Sequence, residues 1–323
     1  MILVGDIGGT KTRLALYDSS LVRQDVAFFA CRKYASLEAV IIDFLKTRHV
    51  SVQCACFGVP GPVMNGCSEA TNLPWRLDER SIAAALGIHR VKLVNDLVAT
   101  TNAVPFLKAS ELVVLHPGKS DADPHAVRAV LAPGTGLGQA YLTWDGMKYV
   151  PRPSEGGHVD FAPTSEIEIR LYRYLRAKKA RVSYERFYSG PGLVTIFNFL
   201  KEKEFDSVPA ELERRMQSQD PAAVISQSAM KEEFEICVKA LDMFVSGLGA
   251  IAGNLVLTYL ASGGVYLGGG IPPKILPKLR DGTIVKAYLN KGRLSNIVED
   301  TSLYVIQDDH TALLGAAHIA AEV

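Results

Sequence analysis

The sequence predicts an α/β fold in two domains. Three observations carry that prediction. The chain has 323 residues, more than one hydrophobic core usually serves and comfortable for two. Its first hundred residues alternate apolar strand-like runs with amphipathic helix-like runs. A strand, a Gly/Thr turn and a second strand occur together near Met1 and again between Val127 and Trp144, a weak internal repeat.

The opening run, Ile2 to Ile7, is an apolar strand, Gly8-Gly9-Thr10 a turn, and the segment to Tyr17 an alternating strand. Ser36 stands before Leu37, Val40, Ile41, Phe44 and Leu45, which predicts an N-capped amphipathic helix. Gln53 to Val59 reads as a buried strand. Asp78 caps a short helix to Leu86 that Gly87 ends. Strand 91–94 leads directly into Asn95-Asp96. Residues 106–126 read as loop. The pattern then restarts with strand Val127 to Leu131, the turn Pro133-Gly134-Thr135-Gly136 and strand Leu137 to Trp144. Helices dominate 165–260, the first with Ser165 and Glu168 at capping-box spacing. Strand Gly264 to Leu267 ends in Gly268-Gly269-Gly270, and a strand at 302–306 and a helix at 311–322 close the chain.

About half the residues are hydrophobic (48%) and the net charge is +1, with no Lys/Arg block, so neither nucleic acid nor a membrane surface is an expected partner. No basic and apolar leader precedes the first strand, and no export signal is expected. The five cysteines lack metal-ligand spacing and read as small apolar filler, which suits a reducing cytoplasm. Met243 to Pro273 carries no charge and is long enough to span a bilayer. Its glycines, and the charged first half of the same helix from Lys231, favour a buried helix to about Leu260 instead.

A phosphate needs converging N–H groups with no side chain in the way. Gly8-Gly9-Thr10 and Gly134-Thr135-Gly136 both offer this, although each alone is also a plain tight hairpin. Neither is a GxxxxGK[ST] loop or a dinucleotide fingerprint. Asp6 precedes the first turn. A carboxylate beside phosphates is repelled unless a cation lies between, so Asp6 is a candidate to hold Mg²⁺ through water; the other reading is an Asp that stabilises the turn. Asp96, at the carboxyl end of a strand, reads as a proton acceptor or as a helix cap, and the cap is the commoner use. Glu155-Gly156-Gly157-His158-Val159-Asp160-Phe161 gathers carboxylates and an imidazole around a turn, donors and acceptors that suit vicinal hydroxyls better than a metal. His158 also reads as a structural histidine, and Glu185 as a plain helix carboxylate. Gly268-Gly269-Gly270 permits close approach of a ligand to backbone, or is a sharp turn.

Taken together, Gly5-Asp6-Ile7-Gly8-Gly9-Thr10 with Arg13, Thr71-Asn72 with Trp75, Asn95-Asp96, Gly134-Thr135-Gly136-Leu137-Gly138, the 155–161 block, Glu185-Arg186 with Ser189-Gly190-Pro191-Gly192, and Gly268-Gly269-Gly270 resemble the bacterial glucokinase family, of non-ROK type, within the sugar kinase and actin superfamily. The glycine turns are widely shared; the 155–161 block and the Ser-Gly-Pro-Gly segment are more specific. The resemblance implies an actin-like (ribonuclease H-like) fold of two domains around a cleft, the small one 1–106 plus about 309–323, the large one 107–308. It implies transfer of the γ-phosphoryl group of ATP to the 6-hydroxyl of glucose. Asp96 would be the general base, and Asn72, Asn95, Asp96, Glu155, His158 and Glu185 would hold the sugar. Gly5, Asp6, Ile7, Gly8, Gly9, Thr10, Gly134, Thr135, Gly136, Gly268, Gly269 and Gly270 would bind the nucleotide, with Asp6 serving Mg²⁺. It further implies a homodimer. Residues 162–180 lack the cysteines of the ROK zinc motif, Lys11 stands where many members have Asn, and Pro133 replaces a small residue. A kinase for mannose, fructose or an N-acetylated hexosamine, or a sugar-sensing regulator of the same fold, is the alternative.

Overall fold

The computed structural model describes residues 1–69, 75–119 and 123–323. It divides into two compact units, one of Met1–Lys108, Met147–Pro153 and Asp308–Val323, the other of Ala109–Gly146 and Ser154–Gln307. Residues 147–153, which the sequence places in the larger domain, group with the first unit.

The first unit is built on β1 (Ile2–Ile7), β2 (Lys11–Tyr17), β3 (Arg23–Ala30), β4 (Cys54–Val59) and, beyond the short pair β5 (Cys67–Glu69) and β6 (Arg76–Asp78), β7 (Val91–Asn95). The sheet order is β3-β2-β1-β4-β7, antiparallel through β3, β2 and β1 and parallel from β1 to β7. Both faces are covered, which explains why the central strands β1 and β4 are apolar at nearly every position. On one face Leu3, Leu14 and Phe57 meet Leu37, Ile41 and Phe44 of α1 (Leu37–Leu45), whose N-cap Ser36 accepts the Ala39 N–H. Asp78 caps α2 (Glu79–Leu86) and Gly87, at φ +64°, ends it. On the other face Val4, Cys54 and Cys56 meet Ala316, Ala317 and Ala320 of the terminal helix Thr311–Glu322. All five cysteines are free; Cys31, Cys54, Cys56 and Cys237 are core filler, while half-buried Cys67 lies beside Asp78. Small residues let the terminal helix approach α3 (Asp96–Ala103) closely: a Cβ on Gly315 would lie 1.8 Å from the Ala99 carbonyl oxygen.

The second unit carries β8 (Leu112–His116), β9 (Arg128–Pro133), β10 (Leu137–Trp144), β12 (Val265–Leu267) and β13 (Leu303–Ile306), with β11 (Tyr149–Ser154) between β10 and β12 in the chain. Through this unit the sheet runs β10-β9-β12-β13-β8, parallel across β9, β12 and β13. Strand β8 corrects the reading of 106–126 as loop. Its continuous apolar run lacks alternation and is bracketed by turn-forming residues, and pairing to β13, far along the chain, is what makes it a strand.

The helices α4 (Glu166–Arg176), α5 (Gly190–Lys203), α6 (Ala210–Ser218), α7 (Pro221–Met230) and α8 (Glu235–Tyr259) pack with this sheet in one core. The capping box at α4 does not form. The Ser165 side chain makes no cap, and buried Glu168 accepts from the N–H and Oγ1 of Thr164 and from the Tyr188 hydroxyl instead. Helix α8 has the length and apolarity to cross a membrane, yet 67% of its apolar window is buried in the protein.

Candidate active site

In the first unit, β1 and β2 close on the turn Gly8 to Lys11, with Ile7 opposite Thr12. The Gly8 N–H donates to the Lys11 carbonyl at 3.0 Å, and a Cβ on Gly8 would sit 2.9 Å from that oxygen. Buried Cys31 braces the turn, its N–H donating to the Thr10 carbonyl and its Sγ lying 3.3 Å from the Gly8 carbonyl. The Gly9 and Thr10 N–H groups make no hydrogen bond among the described residues. Gly5 has no room for a side chain between Phe57 and Leu14, and Ile7 is core, so these two shape β1 rather than offer groups to a ligand.

Asp6 lies in register with Arg13 on β2 and Gly58 on β4. Burial pushes its carboxyl above the usual range; Arg13 pulls it back and Asp309 pushes it further up. Arg13 is itself held by the Asp309 carbonyl and, at 3.4 Å, its carboxylate, and lies over the Phe28 ring. Asp309 gave no signal in the sequence, because it reaches β2 only through the fold.

At the end of β7, Asn95 and not Asp96 is the helix cap. The Asn95 Oδ1 accepts the N–H groups of Leu97 and Val98, and its amide donates to the Gly61 carbonyl. This overturns the cap reading of Asp96. The cap is already supplied, and Asp96 begins α3 as a partly buried carboxylate that accepts the adjacent Leu97 N–H. Burial pushes its carboxyl up to about 6, with the Asp6 charge adding to the rise and the Leu97 N–H opposing it. Asn72 lies outside the described residues.

In the second unit, β9 and β10 close on Gly134-Thr135-Gly136, with Pro133 opposite Leu137. The Gly134 N–H donates to the Gly136 carbonyl, and the Gly190 N–H donates to the Gly134 carbonyl, both at 2.8 Å. The Thr135 and Gly136 N–H groups make no hydrogen bond among the described residues and, like those of the first turn, are free to meet an anion.

The predicted sugar cluster assembles beside this turn. The 155–158 segment lies against β10: a Cβ on Gly157 would overlap the Leu137 carbonyl at 1.9 Å, and one on Gly156 the Gln139 side chain at 2.1 Å. His158 Nε2 lies 3.9 Å from a Glu155 oxygen and 3.8 Å from Glu185 Oε2. Arg181 holds the segment by donating to Asp160 and to the His158 carbonyl, both at 2.7 Å. Glu185 is more than a plain helix carboxylate, since Oε2 accepts the Leu137 N–H at 3.0 Å.

A cavity of about 980 Å³ adjoins the second turn. Thr135, Pro191, Asp220, Gln227, Gly270 and Lys274 are among its lining residues. Gly268 donates its N–H to the Leu131 carbonyl, Gly269 adopts φ +80° with a Cβ position 2.7 Å from the Pro133 carbonyl, and Gly270 leaves open space. The glycine run therefore folds back on β9 and borders the cavity. The start of α7 and its Asp220 cap were not legible as cavity residues in the sequence.

The glucokinase family model matches residues 3–323. The glucokinase of Nostoc punctiforme is 34% identical over 100% of this chain and 99% of that protein. Among solved structures, a glucokinase from an Antarctic psychrotroph superposes with TM-score 0.86 at 30% identity, covering 100% of this chain and 99% of the other. That of Balamuthia mandrillaris, in complex with glucose, superposes with TM-score 0.82 at 25% identity, covering 99% and 93%. Two separately built α/β units, a match along nearly the whole chain and these relatives agree: the chain belongs to the glucokinase family.

Proposed function

We propose that this protein transfers the γ-phosphoryl group of ATP to the 6-hydroxyl of glucose, giving glucose 6-phosphate and ADP. The observation that carries the reading is the state of Asp96. It sits at a strand end with its cap duty taken by Asn95, and its carboxyl is pushed up to about 6, near the pH at which a general base works best.

The sugar oxygen attacks the γ-phosphorus, the bond from phosphorus to the bridging oxygen of ADP breaks, and Asp96 takes the hydroxyl proton. Glu155, His158 and Glu185 accept and donate to the remaining hydroxyls, as a polyol requires. The free N–H groups of Gly9, Thr10, Thr135 and Gly136 meet phosphate oxygens, and the cavity beside Gly270 takes the nucleoside. Most of the rate then comes from positioning and fixed dipoles.

Magnesium fits the first unit. Asp309 raises the Asp6 carboxyl and Asp6 raises that of Asp96, while Arg13 opposes the rise at Asp6, so a hard cation with oxygen ligands would relieve them. Asp6 would hold it through water, where the ion would neutralise charge on the phosphates. We place the protein in the cytoplasm, which suits its five free thiols, and assign it as a homodimer, which sedimentation would test.

A coupled assay of ADP release over a panel of sugars tests the reading. Glucose-dependent release is expected, with mannose, fructose and N-acetylated hexosamines slower. Absence of sugar-dependent ADP release would overturn it.

A further inference from the structure

We propose that Glu185 serves both substrates: it is a sugar ligand and also a positioning residue for the phosphate-binding turn, so that the second unit couples sugar binding to nucleotide binding. The inference rests on the glucokinase reading above. It concerns how one part of that site informs another.

The turn Gly134-Thr135-Gly136 is held at both ends by one short stretch of chain. At its exit, the Leu137 N–H donates to Glu185 Oε2 at 3.0 Å. At its entrance, the Gly134 carbonyl accepts the Gly190 N–H at 2.8 Å. Residues 185 and 190 are themselves tied, because Ser189 Oγ donates to the Glu185 carbonyl at 2.8 Å and accepts the Gly192 N–H at 3.1 Å. A rigid brace thus runs from the carboxylate to the first turn of α5 and sets the directions of the Thr135 and Gly136 N–H groups.

The same carboxylate faces the sugar cluster, with Oε2 3.8 Å from His158 Nε2. An ionised carboxylate has about four acceptor positions, and the Leu137 N–H uses one. Sugar hydroxyls have the others. A hydroxyl bound at Glu185 fixes the carboxylate against Leu137, and a turn fixed by phosphate holds the carboxylate ready for the hydroxyl. Gly136 reports how tight the contact is: a Cβ there would lie 2.6 Å from Glu185 Oε2. The atom in the way is the end of a flexible side chain, so an added methyl displaces the carboxylate and leaves the backbone in place. Glu155 supplies the contrast. Its side chain is 86% exposed and makes no hydrogen bond to the turn among the described residues.

Calorimetric titration of the full-length protein with AMPPNP and with glucose, each alone and in the presence of the other, tests this. In the wild type, glucose should tighten AMPPNP binding at least about fivefold, with the same factor for AMPPNP acting on glucose. Glu185→Gln, whose neutral amide oxygen accepts the Leu137 N–H more weakly, should weaken AMPPNP binding in the absence of any sugar by about tenfold and bring the coupling factor close to one. Glu155→Gln should weaken glucose and leave sugar-free AMPPNP binding unchanged. Gly136→Ala, a change in the turn, should weaken glucose. Melting midpoints near that of the wild type separate these effects from unfolding. If Glu185→Gln does not fold, Gly136→Ala and the wild-type coupling factor decide. Unchanged AMPPNP affinity in Glu185→Gln, unchanged glucose affinity in Gly136→Ala, or a wild-type factor of one would each overturn the inference. A wild type that releases ADP with glucose but shows no coupling sinks only this inference; one with no glucose-dependent turnover sinks the reading beneath it.

Discussion

The two glycine turns look alike in sequence and are built differently. The first spans Gly8 to Lys11 and closes on itself through the Lys11 carbonyl, with Cys31 beneath it. The second spans Gly134 to Gly136, and its outer anchors, Glu185 and Gly190, come from a distant stretch of chain. Their surroundings differ in charge as well. The first follows Asp6, whose carboxyl is raised by burial and by Asp309 and whose charge adds to the rise at partly buried Asp96. The second adjoins a cavity and the cluster of Glu155, His158 and Glu185. The same motif therefore stands in two settings: one closed by its own backbone over a cysteine, the other braced from outside by a carboxylate that also meets His158.

The largest effect should come from the acidic side. Asp96→Asn keeps shape and removes the base, and should lower kcat by about 10²–10⁴-fold, with glucose binding still measurable by calorimetry. The same variant should be more stable. The Asp96 carboxyl titrates near 6 in the native state and near the ordinary carboxylate value when unfolded, so above pH 6 its ionisation opposes folding. That cost fades as pH falls through 6 and is gone below about 4. Removing it should add about 1–3 kcal/mol at neutral pH, read as a higher melting midpoint that vanishes in acid. A variant that loses turnover and melts lower would mean that Asp96 is structural.

The pH profile of the wild type follows from the same group. Only ionised Asp96 accepts a proton, so kcat/KM should be flat above about pH 6 and fall about tenfold per unit below it. An acid limb well below pH 5 would assign the proton elsewhere.

How much of this was legible in the sequence depends on how far the determining contacts lie apart. Strand–turn–strand units, the Ser36 and Asp78 caps and the Gly87 stop are local, and periodicity plus capping chemistry reveals them. The competition at Asn95-Asp96 is also local, but the sequence leaves both residues eligible. The Gly61 carbonyl decides it, by holding the Asn95 amide so that Oδ1 faces the helix. The bond of Glu185 to the second turn was illegible, because its partner Leu137 is 48 residues away. Strand β8 and the cavity wall at Asp220 fail for the same reason: their neighbours are set by the fold. Glu168 shows a local signal misread, since capping-box spacing was present and a buried tyrosine hydroxyl took part of the carboxylate instead.

Closure of the turns can be tested with one methyl group in each. On Gly8 a Cβ meets the Lys11 backbone oxygen at 2.9 Å, and backbone cannot step aside cheaply. On Gly134 a Cβ meets nothing within 4 Å. Gly8→Ala should therefore raise the KM for ATP by about tenfold, the loss of about one charge-assisted phosphate contact, while Gly134→Ala stays near wild type. Equal sensitivity of the two positions would show that both turns are limited by the nucleotide and not by their own packing.

The smallest effect should be at Cys31. Its thiol is buried, 3.3 Å from the Gly8 carbonyl and 3.4 Å from Thr12 Oγ1, and makes weak hydrogen bonds at best. The stronger brace is its own N–H on the Thr10 carbonyl, which any residue but proline supplies. Cys31→Ala should thus cost about 1 kcal/mol of stability for the lost sulfur packing. It should change the KM for ATP by less than about threefold, since the turn keeps its backbone bond. Cys31→Pro removes that bond and should behave like Gly8→Ala. If the alanine variant loses as much ATP affinity as the proline variant, the sulfur and not the backbone shapes the first turn, and the contrast with the carboxylate-braced second turn becomes one of side chains on both sides.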